Sequence, residues 1–504
     1  MSSSTVEATH ASKPKRNLTL LGATGLSLGI VGPSLAMSGN GQGTAAVVGK
    51  AVPLIFVLGA IGISLISHGF IRLTQKFNQA GSTYALVGMT VGPRAGFFSG
   101  VGIMATYALF ALGNIGAIGS FVNAFVANAQ GSPAHPFKVP WLLSGAIGVI
   151  FAILLSTREF KNVVKILLII EGVGVVSMIV LSAVILGKGG VAHGGGLDLS
   201  TFGTNHESVT TIFGAVVGAF LSWAGFEGAA ALGEETSNPS RNIPRTLLGV
   251  VAGTSVLFIV VMFAQTVGFG TNAAGIKAFS TSGNSLAQLG HNYIGLWFSL
   301  VLSFTAVMSA FGCMLASVGT AGRLLYAFSR DGLGPKSWGK LDKKGEPASA
   351  LRTVFAVITA IAAISFVTGH PVLGTGDPAL DMYFYFSTIG ALCLMVSYLM
   401  VEVGTILHLT KERKEKIAEV IIPVLGGLII LAVFYFNVKG QTSITAAPFM
   451  AGALMLIALI ITFGYPGLAT KVFNGLRRSL SEPEGKEFPA SSGIDKGPFP
   501  TPEV

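Results

Sequence analysis

The chain has 504 residues, 51% of them hydrophobic and only 11% charged, against about 25% charged in an ordinary soluble domain. That composition excludes a single soluble core and calls for repeated apolar spans of about 20 residues, each able to cross a hydrocarbon layer of about 30 Å. The net charge of +10 would suit nucleic acid, but no surface interleaves aromatic with basic residues, and nucleic acid is excluded as a partner.

In chain order, the polar segment 1–17 precedes a first span too long, and too poor in small residues at its end, for a cleaved signal peptide, so it reads as a retained tail. Twelve spans follow, near residues 18–38, 45–71, 95–127, 140–157, 161–187, 208–232, 246–270, 291–320, 351–368, 380–408, 419–437 and 446–465. Of the 32 Lys and Arg, all but Lys50, Lys138, Lys188, Lys277 and Lys439 fall on the side of the N-terminus. The positive-inside rule then makes both termini cytoplasmic in a multi-pass protein of the cell membrane, with the lipid bilayer as its solvent. The glycine-rich stretch 188–207 reads as a flexible outer link. It separates a first set of five spans, 18–187, from a second, 208–408. Two further spans occupy 409–465, and the tail 466–504, rich in Pro, Gly, Glu and Ser, is expected to be disordered.

The first span of each set is broken by glycine at its centre, by SLGIVGPSLA (27–36) and by LSWAGFEGAA (221–230). Hydrocarbon offers no partner to a freed backbone group, so an unwound turn there survives only if protein, water or ligand satisfies it. Paired breaks at matching positions are the best sequence pointer to a transporter's binding site. Around Ile30, Val31, Gly32, Pro33 and Ser34, proline suits the first turn of an outer half-helix. The positive end of that half, with its N–H groups, is the expected seat of a ligand carboxylate. Freed carbonyls before it, and around Ser222, Trp223, Ala224 and Gly225, would take an ammonium. Trp223 and Phe226 flank the second break as candidates for lining or gating the pocket, with Tyr107, Phe110, Asn114, Thr305 and Ser309 at similar depth.

Glu227 lies at the second break and Glu171 in the fifth span, and intramembrane acids are functional candidates by default. Glu227 could titrate with protons, neutralise a cationic substrate, or bond to the broken backbone of the first helix. Glu234, Glu235 and Arg241 at the inner mouth are candidates for a gate closed by ion pairing, or mere markers of the membrane boundary. The two cysteines, Cys313 and Cys393, sit in apolar spans, and the eight histidines form no pair at metal spacing. No nucleophile elbow or phosphate-cradling loop occurs, so no enzyme, metal or cofactor is expected and energy must come from gradients.

Three segments carry a family resemblance. RLTQKFNQAGSTYALVGMTVGPRAGFFSG (72–100), FEGAAALGEETSNPSRNIP (226–244) and RLLYAFSRDGLGP (323–335) resemble, in this order, signature regions of the amino acid, polyamine and organocation permeases. The resemblance implies an all-α integral membrane protein of the leucine-transporter type, with two inverted five-helix repeats, broken helices 1 and 6, and two extra C-terminal helices. It implies a permease importing amino acids by alternating access, with protons as the coupling ion, or alternatively an amino acid/amine exchanger. A channel or substrate sensor on the same scaffold is the third reading. Sodium-independent relatives can carry a lysine in helix 5, where this chain has Glu171, with Lys165 nearer the inner end.

Overall fold

The computed structural model describes residues 19–77, 83–131, 137–156, 160–191, 197–232, 236–342, 345–412, 417–439, 443 and 445–480. Among them every extended element is helical. The first interrupted helix is α1 (Leu20–Val31) and α2 (Pro33–Val48), hinged on Gly32 at φ 57° and ψ 63°. Residues 45–48, expected at the start of the second span, continue α2. Then come α3 (Val52–Lys76), the short α4 (Thr83–Thr90), the 37-residue α5 (Pro93–Ala129), α6 (Trp141–Ser156) and α7 (Phe160–Gly187). The second interrupted helix is α8 (Val209–Trp223), a turn through Gly225 at φ 100°, and a tighter 3-10 segment over Phe226–Leu232.

Beyond it lie α9 (Pro239–Phe269), the short α10 (Ala273–Ser280) and α11 (Ser285–Tyr293), and α12 (Leu296–Arg330). The expected span 291–320 joined the end of α11 to α12; Gly295, at φ 140°, separates them. The chain continues through α13 (Ala348–Thr368), α14 (Pro378–Glu412), α15 (Ile417–Val438) and α16 (Ala447–Gly464). Nine helical stretches among the described residues are long and apolar enough to cross a membrane, counting Leu20–Lys76 as one. Two shorter apolar helices, Trp141–Leu155 and Val209–Trp223, join them. The protein is a multi-pass membrane protein.

Its interior is α5 packed along α12 and α14, and α3 along α9. Lipid gives helices no hydrophobic reason to associate, so close backbone approach at small residues does that work. Gly102 faces Ser397, Gly113 faces Ser387, and Gly116 meets the Ala379 carbonyl, each too close to admit a Cβ without displacement. Outside that seam, Ile166 and Ile169 on α7, Leu428 on α15 and Phe463 on α16 are all more than half exposed, a surface suited to acyl chains.

Two loop expectations change. The described ends of the glycine-rich link are pinned: the Val191 N–H donates to the Val267 carbonyl at 3.0 Å, and Lys50 Nζ lies 3.4 Å from Asp198 Oδ2. The Ser200 hydroxyl, aided by Lys50, holds the Asp198 carboxyl down at about 2. The tail expected to be disordered contains α17 (Leu468–Leu480). Leu468, Val472 and Leu476 recur at helical spacing and are buried against α4 and α5. Residues 1–17 and 481–504 of the expected tails lie outside the described residues.

Gly32→Ala forces an alanine into left-handed backbone, a cost of about 1–2 kcal/mol. Its Cβ would also collide with Cys313 Sγ. The variant is expected to melt several degrees lower than the parent in a detergent thermal-shift measurement, and an unchanged melting temperature would refute the strained hinge.

Candidate functional site

The first break is clamped from two neighbouring helices. Ser309 and Cys313 lie one turn apart on α12 and take opposite sides of the gap. Ser309 Oγ accepts the Leu35 N–H at 3.1 Å, while the Cys313 thiol donates to the Ile30 carbonyl at 3.4 Å. From α7, Glu171 Oε1 accepts the Ser34 N–H at 2.7 Å. Gly174, one turn further, lets α7 approach that closely, because a Cβ there would strike the Ser34 hydroxyl. Pro33 has no N–H, and the Ala36 N–H bonds to the Gly32 carbonyl at 2.9 Å. Every first-turn donor of α2 is therefore satisfied within the protein. The expectation that these amides stand open for a ligand carboxylate is corrected on this point: a buried carboxylate of the chain itself fills the seat.

The second break is organised by Glu227. Its carboxylate accepts from the Tyr107 hydroxyl at 2.7 Å, the Tyr398 hydroxyl at 2.6 Å and the Gly225 N–H at 3.1 Å. Of the roles open to it in the sequence, the backbone bond goes to its own broken segment, not to that of the first helix. The two breaks are joined by Ser27, whose hydroxyl donates to the Phe226 carbonyl at 2.9 Å. Asn40 links three helices by donating to Ser222 Oγ and accepting from the Tyr383 hydroxyl, both at 2.8 Å.

Between the breaks lies a cavity. Ile30, Val31, Leu35 and Ala36 line it from the first interrupted helix, and Leu221 and Ala224 from the second. Phe110 and Asn114 of α5, Cys313 of α12 and Tyr383 of α14 close the sides. Gly32, Pro33, Ser34, Ser222 and Gly225 frame it without lining it. The backbone donors at the breaks are engaged, whereas among the described residues no donor reaches the carbonyls of Val31 and Ala224. Asn114 Oδ1 is likewise buried without a partner. The space thus presents apolar walls, unused acceptors and the polar side chains of Asn40, Ser317 and Ser387.

Trp223 and Phe226, expected to line or gate the pocket, turn away from it. Trp223 is fully buried against Phe56 of α3 and Phe258 of α9, with ring centroids 5.8 and 5.2 Å away. Phe226 packs edge-on to Phe70 and Tyr398. Glu234 and Glu235 lie outside the described residues, and Arg241 is exposed near the start of α9. A different polar latch stands on that basic face: the Tyr84 hydroxyl of α4 donates to Asp331 Oδ2 at 2.9 Å, beneath Gly475 of α17. Burial, and then the Asp331 charge, push the Tyr84 phenol above its ordinary range. Two of the three signature segments meet at this contact.

Sequence reading missed Glu402, which is fully buried on α14. Neither of its oxygens has a hydrogen-bond partner among the described residues, and its carboxyl faces Gly69 of α3, where an added Cβ would collide with it, and Gly426 of α15. The rule that singled out Glu171 and Glu227, an acid inside an apolar span, would have found it.

Residues 18–465 match the amino acid permease family. The chain belongs to that family. The branched-chain amino acid permease BcaP of Lactococcus lactis is 26% identical over 344 residues, which are 64% of this chain and 70% of BcaP. BcaP of Bacillus subtilis is 24% identical over 91% of this chain and 95% of its own length. The low-affinity putrescine importer PlaP of Escherichia coli is 28% identical over 57% of this chain and 61% of the importer. The permease is a transporter and not an enzyme.

Tyr398→Phe removes one of the donors to Glu227 and leaves a buried carboxylate short of a partner, a loss of about 1–3 kcal/mol. A lowered melting temperature, larger still in the Tyr107→Phe, Tyr398→Phe double variant, is expected. Equal stability of all three proteins would show that Glu227 does not need these hydroxyls.

Proposed function

We propose that this permease is a secondary active transporter that imports amino acids or amines by alternating access, with protons as the coupling ion. Its frame in this reading is a pair of inverted five-helix repeats over 18–187 and 208–408, with 409–465 behind them, set in the cell membrane with cytoplasmic termini. The observation that carries it is the cavity between two glycine-hinged helix breaks, where the Val31 and Ala224 carbonyls are unengaged. An ammonium group held there would bridge both interrupted helices, so its arrival and departure bias how the two lie against each other. Membership of the permease family and likeness to amino acid and putrescine transporters support the substrate class.

Three acids bear on coupling. Glu227 has three donors and Glu171 has a backbone N–H, so both are accommodated as they stand. Glu402 has none, and an unpaired charge at that depth is expensive. It is therefore the acid best suited to hold a proton in this conformation, in a helix packed against α3 and α15. Closure of the basic face is assigned in this reading to Tyr84 and Asp331, with Glu234, Glu235 and Arg241 as further gate residues.

The decisive measurement is uptake of a labelled panel of amino acids and amines into proteoliposomes, with and without an imposed pH gradient and with and without internal substrate. Saturable uptake driven by an inwardly directed proton gradient, acidic outside, is expected, and Glu402→Gln is expected to lose that drive while still exchanging substrate. Uptake only against loaded internal substrate would instead make the protein an exchanger, and unsaturable flux would make it a channel.

A further inference from the structure

Resting on the transport reading, we propose that Glu171 is a tethered carboxylate that occupies the place of a ligand's own carboxylate, so that the cavity selects carboxylate-free primary amines. The first observation is the seat itself. The only free first-turn donors of α2 are the N–H groups of Ser34 and Leu35, and they are held by Glu171 Oε1 at 2.7 Å and Ser309 Oγ at 3.1 Å. The positive end of a helix favours an anion, and here the anion is covalently part of the chain.

A second observation, independent of the first, is what remains unused. The carbonyls of Val31 and Ala224 and the Asn114 side-chain oxygen are acceptors without donors. Together they would bind an R–NH3+ group, whereas the donors left on the wall for R–COO− are side-chain hydroxyl and amide groups, Ser317, Ser387 and Asn114, without charge and away from the positive helix end. The walls around them, Ile30, Leu35, Phe110 and Leu221, suit a short apolar R. Charge points the same way. No Lys, Arg or His lines the cavity, and the two helix breaks that flank it each carry an acid on a backbone amide, Glu171 on Ser34 and Glu227 on Gly225. A cation added to that site is attracted by both, whereas a zwitterion brings its carboxylate toward Glu171 in a low-dielectric setting where like charges repel strongly. Gly174 is part of the device, because only a residue without a side chain lets α7 deliver the carboxylate to the Ser34 amide.

Isoamylamine and leucine differ only by the carboxylate, and their binding to the full-length protein in nanodiscs, read by thermal shift and by competition, tests the proposal. The parent is expected to bind isoamylamine and to reject leucine by about ten- to a hundredfold, the worth of one charge-assisted hydrogen bond. Glu171→Ala should shift the ratio toward leucine by a similar factor. Glu171→Gln, which keeps an acceptor on the Ser34 N–H without the charge, should give a smaller shift and serves if the alanine variant does not fold. Preference of the parent for leucine, with saturable leucine uptake, overturns the selectivity and leaves the transport reading intact. So does an unchanged ratio in both variants. If neither compound, nor any other amine or amino acid, is taken up saturably, the transport reading falls and the inference with it.

Discussion

A helix that stops inside hydrocarbon orphans amide donors on one side of the stop and carbonyl acceptors on the other, and nothing in lipid will take them. The arrangement of this permease follows from how that debt is distributed at Gly32. Ser309, Cys313 and Glu171 meet most of it, and to do so α12 and α7 must lie within hydrogen-bond distance of the break. That requirement explains the glycine on α7 facing Ser34, the two polar residues one turn apart on α12, and the depth at which α5 and α14 close the remaining sides. The acceptors left over at Val31 and Ala224 are not an oversight of packing. Both belong to residues that line the cavity.

The second break is held differently. Its freed amide at Gly225 turns to Glu227, whose carboxyl group is also held by two tyrosine hydroxyls from α5 and α14. The Phe70, Phe226 and Tyr398 rings pack edge to face beside it, Tyr398 belonging to both the ring cluster and the Glu227 network. One break is thus braced by neutral groups and one acid from outside the helix, and the other by an acid two residues along. The asymmetry leaves the amides of both breaks engaged and the Val31 and Ala224 carbonyls without donors.

Much of this was legible beforehand, because hydropathy, glycine and proline act locally. Gly32 and Pro33 fixed the site of the first hinge, Gly225 that of the second, and the two acids stood out against apolar runs. What stayed hidden depends on partners distant in the chain. That Glu171 would meet the Ser34 amide, 137 positions away, cannot be seen from either residue, since a free helix end and a filled one read alike. Trp223 and Phe226 adjoin the break in sequence, but the turn at Gly225 and the adjoining packing point their rings into α3, α9 and α14. Composition misjudged α17, because its three buried apolar side chains are few in a polar tail yet fall on one helical stripe. Tyr398 and Glu402 escaped notice inside a long apolar helix whose faces cannot be told apart until its neighbours are known.

Cys313 has a use beyond its bond to Ile30. Among the described residues the only other thiol is Cys393, also buried, in the α5–α14 seam. Once Cys393 is replaced by alanine, the permease carries a single native sulfhydryl at the wall of its own cavity. A water-soluble alkylating reagent applied from one side of the bilayer would then time the wetting of the hinge without any engineered label.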